Sequence, residues 1–279
     1  MTLLETLSKR FGQARAMISK LLGRDTPLIP LVRMEGMIAP TDRAGGVLNL
    51  QRVAKPLNKA FAIQSAPLVA ITVNSPGGSP VQSRMIHERI RLLAKQYDKK
   101  VLVFCEDVAA SGGYMIASAG DEIFADPSSI VGSIGVISAG FGFTEVMTKL
   151  GVERRVKTAG KSKSLSDPFL PETDEQKDRM DRLLKAIHAQ FITLVETARE
   201  GKLNPSMELF DGSVFTGEEA IEAGLIDGIG EARQTLQERY GDDVRIKVLA
   251  PPRAGLLSRM TGAAYDTLEQ RLIWSRFGL

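Results

Sequence analysis

The sequence predicts an α/β fold with a largely parallel sheet. Apolar runs of strand length alternate with amphipathic stretches of helix length, as in Leu68–Val73 and Pro80–Tyr97, and this alternation is typical of strand–helix–strand units. Glycine-rich turns, Gly77-Gly78 and Gly112-Gly113, come soon after two of the apolar runs. A chain of 279 residues with 43% hydrophobic content is long enough to bury a sizeable core.

The elements follow in chain order from these patterns. The expected strands, each a short apolar run, are Ile29–Met37, Leu68–Val73, Val101–Cys105, Glu122–Ala125 and Ile134–Ile137. The expected helices, marked by caps and apolar periodicity, are Leu50–Ile63, Pro80–Tyr97, Ser111–Ala119 and Thr173–Glu200. Thr173 has Gln176 three residues later, which is the pattern of a capping box. We expect one catalytic α/β domain over residues 28–250, including the long helix 173–200.

Both ends of the chain are expected to be helical. Residues 1–27 carry apolar side chains at steps of three and four, surrounded by lysine and arginine, which predicts an amphipathic basic helix. Packing on the body or on a neighbouring subunit remains open for this helix, as does peripheral contact of residues 1–25 with an anionic membrane. Residues 251–279 predict a C-terminal helical tail.

Charge and hydropathy exclude several classes of protein. A formal net charge of only +3 does not call for a nucleic-acid groove. No apolar run is long enough for a membrane-spanning helix, and the N-terminus lacks the apolar core of a secretory signal. We therefore expect a cytoplasmic location, with peripheral contact at the inner membrane left open. The one cysteine, Cys105, cannot form an internal disulfide and is expected to be buried.

The two glycine-rich turns are the best candidates for chemistry. Turns at the carboxyl ends of parallel strands lie where ligands bind, and helix N-termini present free N–H groups there. Gly77-Gly78 lets the backbone approach a substrate closely, and Ser111 provides a hydroxyl at a helix start. Together they could supply a nucleophile and amide donors for an oxyanion. Each turn also has a structural interpretation, as chain punctuation or as a helix N-cap.

A nucleophilic serine needs a base, and the histidines do not suggest one. His87 and His188 both fall on predicted helices, where surface or packing roles are expected. Lysine can serve instead if it is held neutral, but an unperturbed lysine pays about 4–5 kcal/mol to lose its proton at pH 7. A catalytic lysine must therefore be shielded from water.

Four blocks of sequence resemble one known family. They are, in order, Asn74-Ser75-Pro76-Gly77-Gly78-Ser79, Ala110-Ser111-Gly112-Gly113-Tyr114, Gly160-Lys161-Ser162-Lys163-Ser164 with Asp167-Pro168-Phe169, and Asp211-Gly212-Ser213-Val214-Phe215-Thr216-Gly217. The match spans roughly residues 30–240 and is to the signal peptide peptidase (protease IV) family of serine–lysine peptidases, in its single-copy bacterial form. Ser162 departs from the family, which often has an aromatic residue there.

The resemblance implies a site, a fold and a reaction. It implies Ser111 as nucleophile, Lys163 as general base, Ser133 as the hydroxyl that orients the lysine, and an oxyanion hole built from Gly78 and Gly112, with Gly77 as a further candidate. The implied fold is the Clp-protease/crotonase-like one of repeated strand–strand–helix units. The implied enzyme is a serine endopeptidase that forms an acyl-enzyme and needs no metal or organic cofactor.

The resemblance also implies a homo-oligomeric ring, an octamer; whether Ser111 meets Lys163 within one chain or between two subunits remains open. Its expected substrates are unfolded peptides, including signal-peptide remnants. Two alternatives remain open: a crotonase-like acyl-CoA enzyme and a non-catalytic ring scaffold at the membrane surface. A Ser-His-Asp peptidase would need a histidine about 25 residues after the serine, and none lies between His87 and His188.

Overall fold

The computed structural model describes residues 26–41, 47–160, 163–251 and Trp274. The strands are β1 (Leu28–Glu35), β2 (Leu68–Ser75), β3 (Lys100–Ala110), β4 (Glu122–Ala125), β5 (Ile130–Gly132), β6 (Val214–Phe215), β7 (Gly228–Ile229) and β8 (Arg245–Leu249). The helices are α1 (Leu50–Phe61), α2 (Pro80–Tyr97), α3 (Gly112–Ala117), α4 (Thr144–Lys149), α5 (Asp174–Ala198), α6 (Gly217–Glu222) and α7 (Ala232–Tyr240). The predicted N-terminal helix and C-terminal tail lie almost wholly outside the described residues.

The strands form one mixed sheet with the order β6-β5-β3-β2-β1-β8, from which β4 and β7 branch beside β3. Every strand pair is parallel except β5 with β6. Parallel pairing brings the carboxyl ends of β2, β3 and β5 to the same edge, and all the predicted site residues except Lys163 directly follow these three strands. The prediction of an α/β fold with a largely parallel sheet is therefore confirmed.

The core lies on both faces of the sheet. Alternate residues of β2 point to opposite faces, so that Val69 and Ile71 pack in one apolar cluster while Leu68 and Ala70 pack in another. The larger cluster includes side chains from α1, α2, α3 and α5. The smaller one is covered by α7, through Ala232 and Leu236. Burial of these helix faces holds the turns at the carboxyl edge.

Helix boundaries agree with the sequence better than strand boundaries do. Helix α2 has the predicted bounds, with the side chain of Ser79 accepting a hydrogen bond from Gln82 N at its start. Helix α5 begins with the predicted capping box of Thr173 and Gln176. The strand expected over Ile134–Ile137 is absent: β5 ends at Gly132 instead, because Gly132 and Ser133 adopt positive φ angles that no strand continues.

A long stretch of the chain contributes no buried residue. From Gly135 to Gln190, none of the residues that the structure describes is fully buried, and α4 lies entirely within this stretch. Its first part, residues 137–160 and 163–170, is called the arm below. The arm exposes large apolar side chains, namely Ile137, Phe141, Val146, Leu150 and Val152. Exposed apolar side chains at this density mark an interaction surface.

Two further observations concern the chain as a whole. Cys105 is buried in β3, as expected, and burial raises the pKa of its thiol to about 12. No helix within the described ranges has the length and apolar content needed to cross a membrane.

Candidate functional site

Ser111 occupies the N-cap position of α3 but caps nothing. Its backbone has φ 52° and ψ −121°, a conformation that non-glycine residues rarely adopt. The side chains of Ser79 and Thr173 accept hydrogen bonds at the starts of their helices, whereas the Ser111 side chain makes no capping bond. The N-cap interpretation is therefore wrong for Ser111, and its half-buried hydroxyl is left available.

The first glycine turn packs directly against Ser111. A Cβ added to Gly77 would lie 2.8 Å from Ser111 Cβ and 2.9 Å from Gly112 N. A Cβ added to Gly113 would lie 2.4 Å from the carbonyl oxygen of Ser75. Side chains at these glycines would therefore force the two turns apart, and their absence lets backbone meet backbone.

The amides of this junction differ in their partners. The N–H of Gly77 donates to Ser75 Oγ at 3.2 Å, so it is already engaged. The N–H groups of Gly78 and Gly112 make no hydrogen bond within the part of the chain described, and Gly112, as the first residue of α3, has no intrahelical partner to find. Gly78 is solvent-exposed. The junction of the two turns thus contains two amide donors, at Gly78 and Gly112, without a partner among the described residues.

Ser133 lies beside Ser111 through the backbone. The N–H of Ser111 donates to the carbonyl of Gly132 at 2.7 Å, which links the start of α3 to the end of β5. Ser133 has a φ of 50°, and its N–H donates to the carbonyl of Ser213 at 2.7 Å. The fourth sequence block, which contains Ser213, therefore supports the Ser133 turn.

Lys163 makes no hydrogen bond to Ser111 or Ser133 within the described chain. It lies in a turn of the arm, where its N–H donates to the Gly160 carbonyl at 3.3 Å. Its side chain is exposed, and among described residues it forms no hydrogen bond or ion pair. The next residue, Ser164, accepts a hydrogen bond from Gln176 Nε2 at 3.3 Å, which ties this turn to the start of α5.

The middle of α5 reaches the other half of the site. His188 Nε2 lies 2.9 Å from the carbonyl oxygen of Ile134, the residue after Ser133. Gln176 and His188 are twelve residues apart, so about 18 Å of helix separates their Cα atoms. Helix α5 therefore contacts the Lys163 turn and the Ser133 turn at well-separated points.

The sequence did not reveal this contact of His188. Its helical position predicted a packing role, and nothing in the local pattern indicated that the ring reaches the turn after β5. The other histidine, His87, lies away from both serines on α2. Both of its ring nitrogens are buried without a partner in the described structure, and burial, with a smaller contribution from Arg91, lowers its pKa to about 4.

A buried polar network holds α3 from its other side. Tyr114, three residues after Ser111, is fully buried and donates from its hydroxyl to the Leu225 carbonyl at 2.7 Å. Arg199 donates to the neighbouring Gly224 carbonyl at 2.9 Å and to Asp227 Oδ2 at 2.7 Å. Burial alone would raise the pKa of Asp227, but hydrogen bonds from Arg199 and from Lys202 outweigh it and hold that pKa below its usual value.

Metal ligation has no candidate in the described residues: no three histidine, cysteine, aspartate or glutamate side chains among them are grouped to hold an ion.

Comparison with known proteins gives the family. The sequence model described as peptidase family S49 matches residues 93–243, which is more than half of the chain. The chain belongs to peptidase family S49. This family membership agrees with the sequence blocks around Ser111 and Lys163, and the resemblance to the signal peptide peptidase family is confirmed.

Individual relatives carry different names. A protein of Brucella abortus named Na(+)/H(+) antiporter NhaA is 50% identical over 275 residues, which cover 90% of this chain and 37% of that protein. Protease 4 of Haemophilus influenzae is 31% identical over 259 residues, covering 88% of this chain and 41% of that protein. An Enterococcus faecium protein named as a signal peptide peptidase SppA is 29% identical over 218 residues, covering 77% and 63%. The chain thus spans less than two thirds of each.

Proposed function

We propose that this S49 family member is a serine endopeptidase in which Ser111 is the nucleophile and Lys163 the general base. The observation that carries the proposal is the junction of the two turns. A serine in a strained backbone conformation, with a hydroxyl that caps nothing, lies against the first glycine turn, and the amides of Gly78 and Gly112 have no partner among the described residues. Strain of this kind persists where the surroundings hold it for function.

The reaction would be acyl transfer to Ser111. Neutral Lys163 takes the hydroxyl proton as Ser111 Oγ attacks the peptide carbonyl, and the amides of Gly78 and Gly112 stabilise the oxyanion. When the C–N bond breaks, Lys163 gives the proton to the leaving amine. Water then hydrolyses the acyl-enzyme, with Lys163 as base, and restores the Ser111 hydroxyl. Ser133 would hydrogen-bond the lysine amine and orient it.

Gly77 is the weakest of the proposed oxyanion donors. Its N–H already donates to Ser75 Oγ. Its close packing on Ser111 instead supports a role in bringing the two turns together. The proposal therefore assigns the donors to Gly78 and Gly112.

We propose that the base comes from a second copy of the chain. Lys163 is exposed in the single chain, whereas a lysine that acts as a base must be shielded from water. Helix α5 also contacts the Lys163 turn and the Ser133 turn at points about 18 Å apart along its axis. Both observations favour a site that is completed, and shielded from water, when two subunits meet.

The arm supports the same proposal. It carries Lys163 and exposes Phe141 and Leu150 to 81% and 70%. Burial of these side chains against a neighbour would stabilise an assembly by roughly 1.5–3 kcal/mol for each large apolar side chain. A closed ring, an octamer by the family resemblance, would repeat this heterologous contact at every subunit.

Several finer properties also belong to the proposal. The fold would be of the Clp-protease/crotonase-like kind. Substrates would be unfolded peptides, including signal-peptide remnants, with no metal or organic cofactor required. The protein would act in the cytoplasm, with peripheral contact at the inner membrane through residues 1–25.

A serine-directed acylating probe tests the proposal. We expect stoichiometric labelling of Ser111 in the wild-type protein and hydrolysis of a fluorogenic peptide. Labelling and hydrolysis should disappear in Ser111→Ala and Lys163→Ala but persist in Ser128→Ala, a control in an exposed turn between β4 and β5. Unlabelled Ser111 in a correctly assembled wild-type protein would favour the scaffold, and hydrolysis of an acyl thioester instead of the peptide would favour a crotonase-like enzyme.

A further inference from the structure

His188 makes a directional contact with the backbone that follows Ser133. Its Nε2 lies 2.9 Å from the carbonyl oxygen of Ile134. A carbonyl oxygen only accepts hydrogen bonds, so Nε2 must carry the proton and donate it. This fixes the neutral ring in its Nε2–H tautomer. The Nε2 proton is thereby directed at the protein backbone and not at Ser111.

The segment that His188 contacts combines a strained backbone with a buried side chain, because Ile134 is fully buried in the main core. Strand β5 ends at Gly132, and Ser133 follows with a φ of 50°. The N–H of Ser133 donates to Ser213, and the N–H of Gly135 donates back to the Ser133 carbonyl at 2.9 Å. A strained residue keeps its conformation only where its neighbours hold it. On the side of the turn that leads into the arm, the His188 bond adds a directional restraint on the Ile134 carbonyl to the burial of the Ile134 side chain.

His188 is itself firmly placed. It shares one stripe of α5 with Phe191 and Val195, which are buried in the main core at 3% and 0% exposure. The helix begins with a capping box, and Arg199 fastens its end to Gly224 and Asp227. A side chain on a rigid, anchored helix can hold a loop in one geometry.

We infer that His188 is a positioning residue for the peptidase reaction: it holds the turn that carries Ser133, and through Gly132 the adjoining Ser111, without touching the substrate. This inference rests on the function proposed above. It assigns His188 no proton transfer through Nε2, because the Nε2 proton is donated to the Ile134 carbonyl in the neutral and the charged ring alike. Its removal should weaken the chemical step and leave substrate binding nearly intact.

Two substitutions at position 188 distinguish the effect of losing the hydrogen-bond donor from the effect of changing the side-chain shape. His188→Gln keeps an N–H donor with similar reach, whereas His188→Leu fills the space without one. We expect His188→Leu to lower kcat about tenfold with KM unchanged, the effect of one lost hydrogen bond on the positioned groups. His188→Gln should stay within about twofold of wild type.

A stability control distinguishes positioning from general damage. Phe191→Leu removes core volume from the same stripe of α5 and leaves the His188 side chain and its hydrogen bond in place. At temperatures well below both melting points, Phe191→Leu should retain kcat even if it lowers Tm as much as His188→Leu does. Equal losses of kcat in the two variants, or full kcat in His188→Leu, would overturn the inference.

An NMR measurement tests the contact without relying on activity. The chain has two histidines, so a His87→Gln variant assigns the His188 ring nitrogens directly. At pH 8 we expect the Nε2–H tautomer, and an Nδ1–H tautomer would overturn the contact and the inference together. If wild-type protein shows the Nε2–H tautomer but no Ser111-dependent hydrolysis, the proposed function fails and the positioning role fails with it. If hydrolysis depends on Ser111 but not on His188, only the inference fails.

Discussion

The backbone N–H of Ser111 donates to the carbonyl of Gly132 at 2.7 Å, and this bond joins the two strained serines of the site. Ser111 and Ser133 are two of the four non-glycine residues with positive φ in the described chain. Each lies at the carboxyl end of a strand, and the strands β3 and β5 that lead to them are paired in parallel. One sheet register therefore sets the relative positions of both hydroxyls.

Mixing inactive subunits tests the shared site. Under the proposal, Ser111 of one copy works with Lys163 of its neighbour. Equal amounts of Ser111→Ala and Lys163→Ala subunits, randomly reassembled, should then recover about a quarter of wild-type hydrolysis. A site is active only when one subunit supplies an intact Ser111 and the next supplies an intact Lys163, which happens at about one site in four. Activity is measured with a fluorogenic peptide after dissociation and reassembly.

The control for that mixture is the Ser111→Ala/Lys163→Ala double variant. Reassembled with either single variant, it should restore nothing, because no site could then contain both groups. A mixture of the two single variants that reassembles fully and stays inactive would place both groups in one chain.

Gly77→Ala should destabilise the protein and abolish hydrolysis. The new Cβ would lie 2.8 Å from Ser111 Cβ at a φ of +101°, so strain and steric overlap add. We expect a loss of about 1–3 kcal/mol in the free energy of unfolding from the backbone strain, with a further cost from the displaced turn. Gly201→Ala is the matched control, because its φ is +72° but no atom lies within 4 Å of the added Cβ. Urea unfolding and peptide hydrolysis together separate the two effects.

Phe141→Asp should dissociate the assembly without unfolding the subunit. Phe141 is 81% exposed in the single chain, so a charge there costs the subunit nothing, but it would be buried against a neighbour in the proposed ring. Light scattering should show smaller particles and hydrolysis should be lost, while circular dichroism should show that the separated subunit keeps its secondary structure. Leu92→Asp, at a 55% exposed position on α2 outside the arm, serves as the control. An unchanged particle mass in Phe141→Asp would exclude this residue from the interface.

Asp227→Asn should destabilise the support of α3 and flatten its acid dependence. Arg199 is 1% exposed, and removing its charge partner from a buried pair costs about 3 kcal/mol. Because the folded pKa of Asp227 is depressed, its contribution to stability is present above the ordinary carboxyl pKa and is lost as pH falls below it. Lys202→Ala, which removes the exposed partner of the same carboxylate, should cost under about 1 kcal/mol. Denaturant titrations between pH 7 and pH 2 measure both.

His87 should titrate near pH 4. Its pKa lies below the ordinary 6.5 because burial disfavours the charged ring, so its contribution to folding is complete above pH 6.5 and declines as pH falls towards 4. NMR of the ring carbons gives the midpoint, and His87→Gln should remove this part of the pH dependence of unfolding. A midpoint near 6.5 would contradict the burial of this ring.

Local signals predicted the helices well. Ser79 and Thr173 are capping residues whose hydrogen bonds lie within their own turn, so the sequence alone marks the starts of α2 and α5. Strand β3 runs five residues beyond the predicted Cys105, to Ala110. The charged pair Glu106-Asp107 interrupts the apolar run there, but Asn74 of β2 bonds to the Val108 N–H and keeps the strand paired.

The residues of the site likewise divide into those that local sequence predicts and those that depend on distant contacts. Ser111 and Gly77 could be predicted because turn chemistry is local. The contact of His188 with Ile134 spans 54 residues and depends on how α5 packs, which no local pattern encodes. Under our proposal, the position of Lys163 relative to Ser111 depends on how a neighbouring subunit packs, and no pattern in a single sequence predicts that packing.

Cys105 is the one cysteine of the sequence, and its burial allows selective labelling at other positions. Burial inside β3 raises the pKa of this thiol to about 12, so it should not react with maleimide reagents at neutral pH. Cysteines introduced on the arm would then be the sole reactive points, without any need to delete the native one. Fluorophore pairs attached there could report the spacing between neighbouring subunits as they associate.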